Sequence, residues 1–356
     1  MDRIALVTPH GGPIPKRTFG TSGVEASVVG FGAWTLALDW WGEVDADASA
    51  KLVGEAIDAG ITFFDTADTY GAGLGEERLA AALRGKRNQV TIGTKFGYDI
   101  TVSHDSSGHS ERPQRWEPDF IRERCEESLR RLETDRIDLY ELHNPRMNAV
   151  VDDAIFGVLD DLKKEGKVLA YGVALGPAIG WQDEGLYAIE HRDVDVVQTV
   201  FNVLEQEPAT SFLDAAGPDG PSVIARVPHA SDALMGTYTA DTVFPATDHR
   251  SFRKREWLLR ALKKVDQLDF LLDGRTMAQA AIAWLLANPG VTTVLPTATT
   301  VDQVREFAGA ADKPLTTEEF ERVQDLYRRD FDLPPPSADE QIELRASRTT
   351  ATSTGT

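Results

Sequence analysis

The chain has 356 residues, of which 57 are acidic and 37 basic, a formal net charge of −20, with 42% hydrophobic and 26% charged residues. That balance suits a soluble globular protein with a sizeable core, and the negative charge argues against non-specific nucleic-acid binding, which needs clustered Lys and Arg to displace counterions. No apolar run is long enough for a membrane span, the N-terminal Met-Asp-Arg-Ile-Ala-Leu-Val stretch lacks a signal-peptide core, and one cysteine, Cys125, excludes an internal disulfide. The expected location is the cytoplasm, with no nucleic-acid or membrane partner; the oligomeric state is left open.

After an N-terminal preface, β-branched runs predict strands over 27–31, 61–65, 90–95, 137–142, 168–173, 195–200, 222–227 and 292–296. Helical stretches lie between most of them. Leu52, Val53, Ala56 and Ile57 share one face of a helix over 47–59 that stops at Gly60. Pro118 sits just inside a second helix start, followed by the stripe Ile121, Cys125, Leu129 and Leu132, which makes Cys125 a buried, inert thiol. Ile155, Val158, Leu159 and Leu162 mark a third helix ending at Gly166, and Thr316 with Glu319 forms a capping box for the last. Eight strand-then-helix units predict an α/β fold, a (β/α)8 TIM barrel. It is expected as a single domain over 1–331, preface included, followed by a partly disordered C-terminal tail over 332–356. Two long polar connections, 97–117 and 228–250, are placed to form a substrate lid.

Three successive strands end in polar residues. Phe64-Asp65-Thr66-Ala67-Asp68-Thr69-Tyr70-Gly71 closes the strand at 61–65, Thr94-Lys95-Phe96-Gly97 the next, and Glu141-Leu142-His143-Asn144-Pro145 the third. Taken singly, Asp65 reads as a turn or cap residue, Tyr70 as packing, Lys95 as a solvated base and His143 as a structural histidine. Together at one barrel rim they can hold a proton donor beside a carbonyl. Asp68 reads as a loop-stabilising residue.

These residues resemble the aldo-keto reductase family. The resemblance runs through Gly20-Thr21-Ser22-Gly23-Val24-Glu25-Ala26-Ser27, Gly30-Phe31-Gly32-Ala33-Trp34, the three strand-end motifs, Gly166-Lys167-Val168, Val197-Gln198 with Asn202, and Val294-Leu295-Pro296. It implies an NAD(P)(H)-dependent oxidoreductase interconverting an aldehyde or ketone and the corresponding alcohol, with NADP(H) or NAD(H) as cofactor. Tyr70 is then the general acid/base and Lys95 the group that lowers its pKa from the free value of about 10. Asp65 is the lysine's partner, and His143 orients the carbonyl.

No Gly-x-Gly-x-x-Gly loop joins a strand to a helix, so a Rossmann reading fails. The resemblance instead puts the adenosine diphosphate over the last strand and following helix, 294–307. Gly32, Ala33, Trp34, Gln198, Arg226, Pro296, Thr299, Gln303 and Glu306 are the expected cofactor-binding residues, with phosphate at the Thr299-Thr300 helix start. The turn 296–303 has no base for a 2′-phosphate, where NADPH-preferring members carry Lys or Arg. Phe307 stands where Asn is usual, either stacking on adenine or joining the core. Ala174-Leu175 replaces the usual Ser-Asn at the nicotinamide, leaving Gln198 as the carboxamide ligand; Arg226 pairs either the pyrophosphate or a neighbouring acid.

Trp34, Trp41, Tyr98 and Asn144 are the expected substrate contacts, with Trp40 and Trp181 as further rim aromatics. No metal is expected, since His104, His109, Asp105 and Glu111 fit no zinc spacing. Two rival functions remain: a cofactor-binding regulatory subunit of the same fold with little turnover, and a barrel lyase using Lys95 as a Schiff-base nucleophile.

Overall fold

The computed structural model of the chain describes residues 13–37, 45–103, 111–176, 181–244, 248, 250, 253 and 255–335. A short antiparallel hairpin, β1 (Lys16–Thr18) and β2 (Glu25–Ser27), precedes eight parallel strands. These are β3 (Phe31–Gly32), β4 (Phe63–Asp65), β5 (Thr91–Phe96), β6 (Ile137–His143), β7 (Val168–Ala174), β8 (Val196–Val200), β9 (Ser222–Arg226) and β10 (Val291–Leu295), paired in chain order. A parallel bridge between Val29 and Val294 closes the ring: Gly30 N–H donates to Val294 O and Val294 N–H to Val28 O, each at 2.9 Å. The result is the (β/α)8 barrel predicted from the alternation of elements.

Around it lie α1 (Ala46–Asp58), α2 (Leu74–Ala82), α3 (Pro118–Arg131), α4 (Met147–Val150), α5 (Asp153–Lys164), α6 (Gln182–His191), α7 (Ala209–Ala216), α8 (Arg255–Val265), α9 (Met277–Leu286), α10 (Val301–Ala308) and α11 (Thr317–Arg328). Their ends follow local chemistry. The Asp45 side chain accepts from Ala48 N–H at the start of α1, Pro118 opens α3, and Thr276, Thr300 and Thr316 each form a reciprocal capping box.

One predicted strand differs. The run 27–31 is divided, because Ser27 belongs to the hairpin. Its Oγ donates to Val29 O at 2.7 Å and accepts from Thr62 N–H at 2.9 Å and Phe63 N–H at 3.2 Å, so the chain turns there before β3 begins. The hairpin is the floor of the barrel. Phe19 is fully buried and packs edge-on against Phe63 at 5.2 Å, and Arg17 donates to the carbonyls of Leu286, Asn288 and Val291.

The barrel interior has two levels. Phe63, Leu139, Ala170, Val196, Ile224 and Leu295 join Phe19 in an apolar cluster at the hairpin end. One side-chain repeat further along β4, β5, β6, β8 and β9, the residues are Asp65, Lys95, Glu141, Gln198 and Arg226. Apolar filling below and polar groups above is what aims chemistry at the C-terminal rim. Phe63 occupies the apolar level with no exposure. Phe63→Ala should therefore cost about 3–5 kcal/mol in urea unfolding; a loss below about 1 kcal/mol would show that the floor collapses around the gap.

Candidate active site

Strand alternation selects the inward residues. Along β6, Leu139, Glu141 and His143 share one face, while Tyr140 and Leu142 pack outward against the helices. Lys95 on β5 is the register neighbour of Glu141, and Asp65 on β4 that of Gly93. Tyr70 arrives from the loop between β4 and α2. That loop is stitched to β5 by Thr66 N–H on Gly93 O (2.8 Å) and Asp68 N–H on Lys95 O (3.2 Å), then turns through Gly75 N–H on Tyr70 O (3.0 Å). The structure thus brings together the four residues expected to share a rim.

Lys95 is 1% exposed; its Nζ donates to Asp65 Oδ1 at 2.6 Å and Thr66 O at 2.7 Å and lies 5.4 Å from the centre of the Tyr70 ring. Burial pulls the ammonium's pKa down, but Asp65, Tyr70 and Glu141 together push it further up, so the net shift is upward. Lys95 is therefore a fixed positive charge. Lys95 pulls the Tyr70 phenol's pKa down, as expected, but burial is the larger cause, so the net shift is upward. Desolvation outweighs a single screened charge, and Tyr70 keeps its proton at neutral pH.

His143 is held neutral. Burial, then the positive charges of Lys95 and Arg226, depress its pKa well below the usual range. Its ring meets Tyr70 edge-on at 6.0 Å and Tyr98 at 5.1 Å, and its buried Nδ1 has no hydrogen-bond partner among the described residues. Behind the Tyr70 loop, Asp68 is fully buried and its pKa is raised by burial and by Glu76. Glu76 itself accepts from Thr94 Oγ1 and Arg131 Nε, each at 2.6 Å, tying α2 to β5 and α3.

Glu141 is the residue that sequence reasoning missed. It is fully buried one repeat below His143, and Gln198 Nε2 donates both to it (Oε2, 3.0 Å) and to Asp65 (Oδ2, 3.0 Å). Burial is the main cause that raises its pKa to about 8. The signal was present: Glu141 is two residues before His143 on one strand, so alternation puts both on the same inward face. Arg226, at the end of β9, donates to Leu175 O, while its buried Nε has no hydrogen-bond partner among the described residues.

The expected cofactor residues gather at β3 and β10. Gly32 faces Pro296: a Cβ built on it would stand 3.5 Å from Pro296 O. Ala33 is buried, and the half-buried Trp34 donates from Nε1 to Thr297 Oγ1 at 3.1 Å. At the start of α10, Gln303 Oε1 accepts from Thr299 N–H (2.8 Å), Thr299 Oγ1 (3.0 Å) and Thr300 N–H (3.2 Å). A phosphate arriving there must displace that amide oxygen. Glu306 accepts from Gln279 through its backbone carbonyl. Phe307 belongs to the core at 1% exposure, 4.7 Å from the His229 ring, which decides against stacking on adenine. No base occurs over 296–303, and Arg305 beyond is held by Glu55 at 2.6 and 2.9 Å. With the unpartnered Nε of Arg226 and a Gln198 oxygen that accepts no hydrogen bond among the described residues, the donor set fits the nicotinamide amide and diphosphate of a dinucleotide. It carries nothing built for a 2′-phosphate.

The lid expected over 97–117 docks on the rim where it is described. Gln114 Nε2 donates to His143 O and Asn144 O, both at 2.9 Å. Asn144, in the left-handed region at φ 51°, donates from Nδ2 to Tyr98 OH at 2.8 Å, and that hydroxyl donates to Glu111. Trp116 lies so close over Gly97 (φ +127°) that a Cβ there would stand 2.3 Å from its ring. Trp181 is buried under the Arg146 guanidinium, 3.6 Å from its ring centre, and so is packing. Trp41, with Trp40, lies outside the described residues, as do His104, Asp105 and His109.

Comparison with known proteins agrees with this geometry. A sequence profile of the Aldo/keto reductase family matches residues 28–328. The chain is 30% identical to the aldo-keto reductase YhdN of Bacillus subtilis over 284 residues, covering 76% of this chain and 80% of that protein. It is 29% identical to the NADH-specific methylglyoxal reductase of Escherichia coli over 309 residues, 83% and 93% of the two chains. Its backbone superposes on that of the glycerol dehydrogenase AKR11B4 from Gluconobacter oxydans with a TM-score of 0.77 at 27% identity, over 91% of this chain and 98% of that one.

His229 packs its ring against Phe307 of α10 and gives a pH test. Burial lowers its pKa to about 4, against about 6.5 in an unfolded chain. Between those values the unfolded state binds a proton that the folded state does not, so this residue's contribution falls as pH falls, by about 1.4 kcal/mol per unit below pH 6.5. Urea unfolding at pH 7 and pH 5 should show a smaller acid loss in His229→Gln than in the parent. Equal losses would contradict a neutral, buried His229.

Proposed function

The chain belongs to the aldo-keto reductase family, NAD(P)H-dependent oxidoreductases, and on that premise we propose that Tyr70 supplies the proton while a small aldehyde or ketone is reduced to its alcohol. The observation that carries the proposal is the sealed Lys95–Asp65 pair, 2.6 Å long, set beside the Tyr70 ring. When bound, the nicotinamide supplies the hydride. Tyr70, protonated at neutral pH, gives its O–H proton to the carbonyl oxygen as that oxygen gains negative charge. The phenolate left behind is stabilised by the Lys95 ammonium, which Asp65 keeps charged and Thr66 O keeps aimed. His143, neutral and with Nδ1 sealed, donates from Nε2 to the same carbonyl oxygen and sets the direction of attack. In the oxidative direction Tyr70 acts as base.

Gln198 receives the nicotinamide amide, Arg226 with the α10 start receives the diphosphate, and Trp34, Tyr98 and Asn144 line the approach to the carbonyl. The base-free turn 296–303 supports use of NADH at least as readily as NADPH. The barrel acts as one catalytic unit in the cytoplasm.

The test is the initial rate of NADH and NADPH oxidation with an activated aromatic aldehyde, for the parent and Tyr70→Phe. The expected result is turnover that falls by about 10²–10⁴ in the variant, with the two cofactors within about tenfold of each other in kcat/KM. Undiminished turnover by Tyr70→Phe would overturn its role. No turnover despite tight dinucleotide binding would favour the regulatory subunit.

A further inference from the structure

Glu141 has no part in the proton path just described, yet it is fully buried directly beneath it. Its surroundings are specific. From β4 it faces Asp65, from β5 the Lys95 ammonium, from β8 the Gln198 amide and from β9 the Arg226 guanidinium. Gln198 Nε2 carries two hydrogens, and it meets two carboxyl oxygens, Asp65 Oδ2 and Glu141 Oε2, each at 3.0 Å. Both donors are thereby spent. Turning the amide over would set its oxygen against Asp65 Oδ2, two acceptors with no proton between them. The amide can face the rim in one way only, with its oxygen outward.

We propose that Glu141 is a positioning residue that, with Asp65, clamps Gln198 so that it offers the cofactor's carboxamide an acceptor and never a donor. The proposal rests on the reading of Gln198 as the carboxamide ligand. It matters more here because the neighbouring positions, Ala174 and Leu175, are buried and apolar and have no side-chain polar group to share the task. The clamp holds in either protonation state of Glu141, since a proton on Oε1 leaves Oε2 free to accept. With Asp65 alone, the amide pivots about one hydrogen bond and can turn an N–H toward the rim.

The probe is a pair of dinucleotides of equal charge, NAD+ and its 3-acetylpyridine analogue, in which a methyl ketone replaces the carboxamide and no N–H is left to donate. Dissociation constants are measured by calorimetry for the parent, Glu141→Met, Glu141→Leu, Glu141→Gln and Gln198→Leu. Equal charge means that the ratio of the two constants cancels the electrostatic effect of removing a carboxyl. The parent should bind NAD+ about tenfold more tightly than the analogue, as for one hydrogen bond. Glu141→Gln, which keeps an acceptor oxygen, should retain that ratio. Glu141→Met and Gln198→Leu should compress it to within about threefold. Apolar replacement of a buried carboxyl is often tolerated, and Glu141→Leu serves if the Met variant does not fold. An unchanged ratio in the Glu141 variants, alongside a compressed one in Gln198→Leu, would overturn the clamp alone. A ratio unchanged in Gln198→Leu would overturn the carboxamide reading of Gln198 and the clamp with it.

Discussion

A lysine ammonium with 1% of its surface exposed is the constraint on which the site is built. A buried charge is tolerated only when its donors are taken up. Lys95 has three N–H groups; one goes to Asp65, one to Thr66 O, and the third is left for Tyr70. Asp65 must then sit at the end of β4, and the chain after it must fold back over β5 so that Thr66 can present its carbonyl. The loop that carries Tyr70 follows from that return. Catalytic geometry and charge neutralisation are one arrangement.

The same low-dielectric setting sorts the protonation states. A phenol beside an ammonium would ionise more easily in water, but here desolvation dominates, and Tyr70 stays an acid. His143 stays neutral for the same reason, reinforced by Lys95 and Arg226. Glu141, sharing the Gln198 amide with Asp65, is driven toward its neutral form by burial. The apolar level beneath, from Phe63 to Leu295, keeps water from entering through the floor.

Much of this was legible in the residue order. β-Branched runs between amphipathic stretches gave the barrel strands, with 27–31 divided in the structure, and the helix ends at Pro118, Thr300 and Thr316 follow from local capping chemistry. The four rim residues could be read because they lie at, or in the loop just after, the ends of three successive strands. What escaped has a common physical cause: it depends on contacts between distant segments. The hairpin floor was hidden because Ser27 spends its hydroxyl on Thr62, Phe63 and Val29, which no local pattern announces. Phe307 could have faced adenine until the His229 ring was found against it. That burial outweighs Lys95 at Tyr70 was not legible, because sequence shows the charge nearby and not the depth of burial.

The most direct test of the central claim removes the buried charge without leaving a lone partner. In the double variant Lys95→Met with Asp65→Asn, both members of the Lys95–Asp65 pair lose their charge together, so the fold should survive, and NADH should still bind, weaker by no more than about tenfold because Asp65 also holds the Gln198 amide. The account predicts that kcat/KM for carbonyl reduction falls by about 10² or more, the scale of a lost charge stabiliser in a dry site. A double variant that binds NADH and turns over within about threefold of the parent would show that Tyr70 needs no ammonium beside it, and the account would fail.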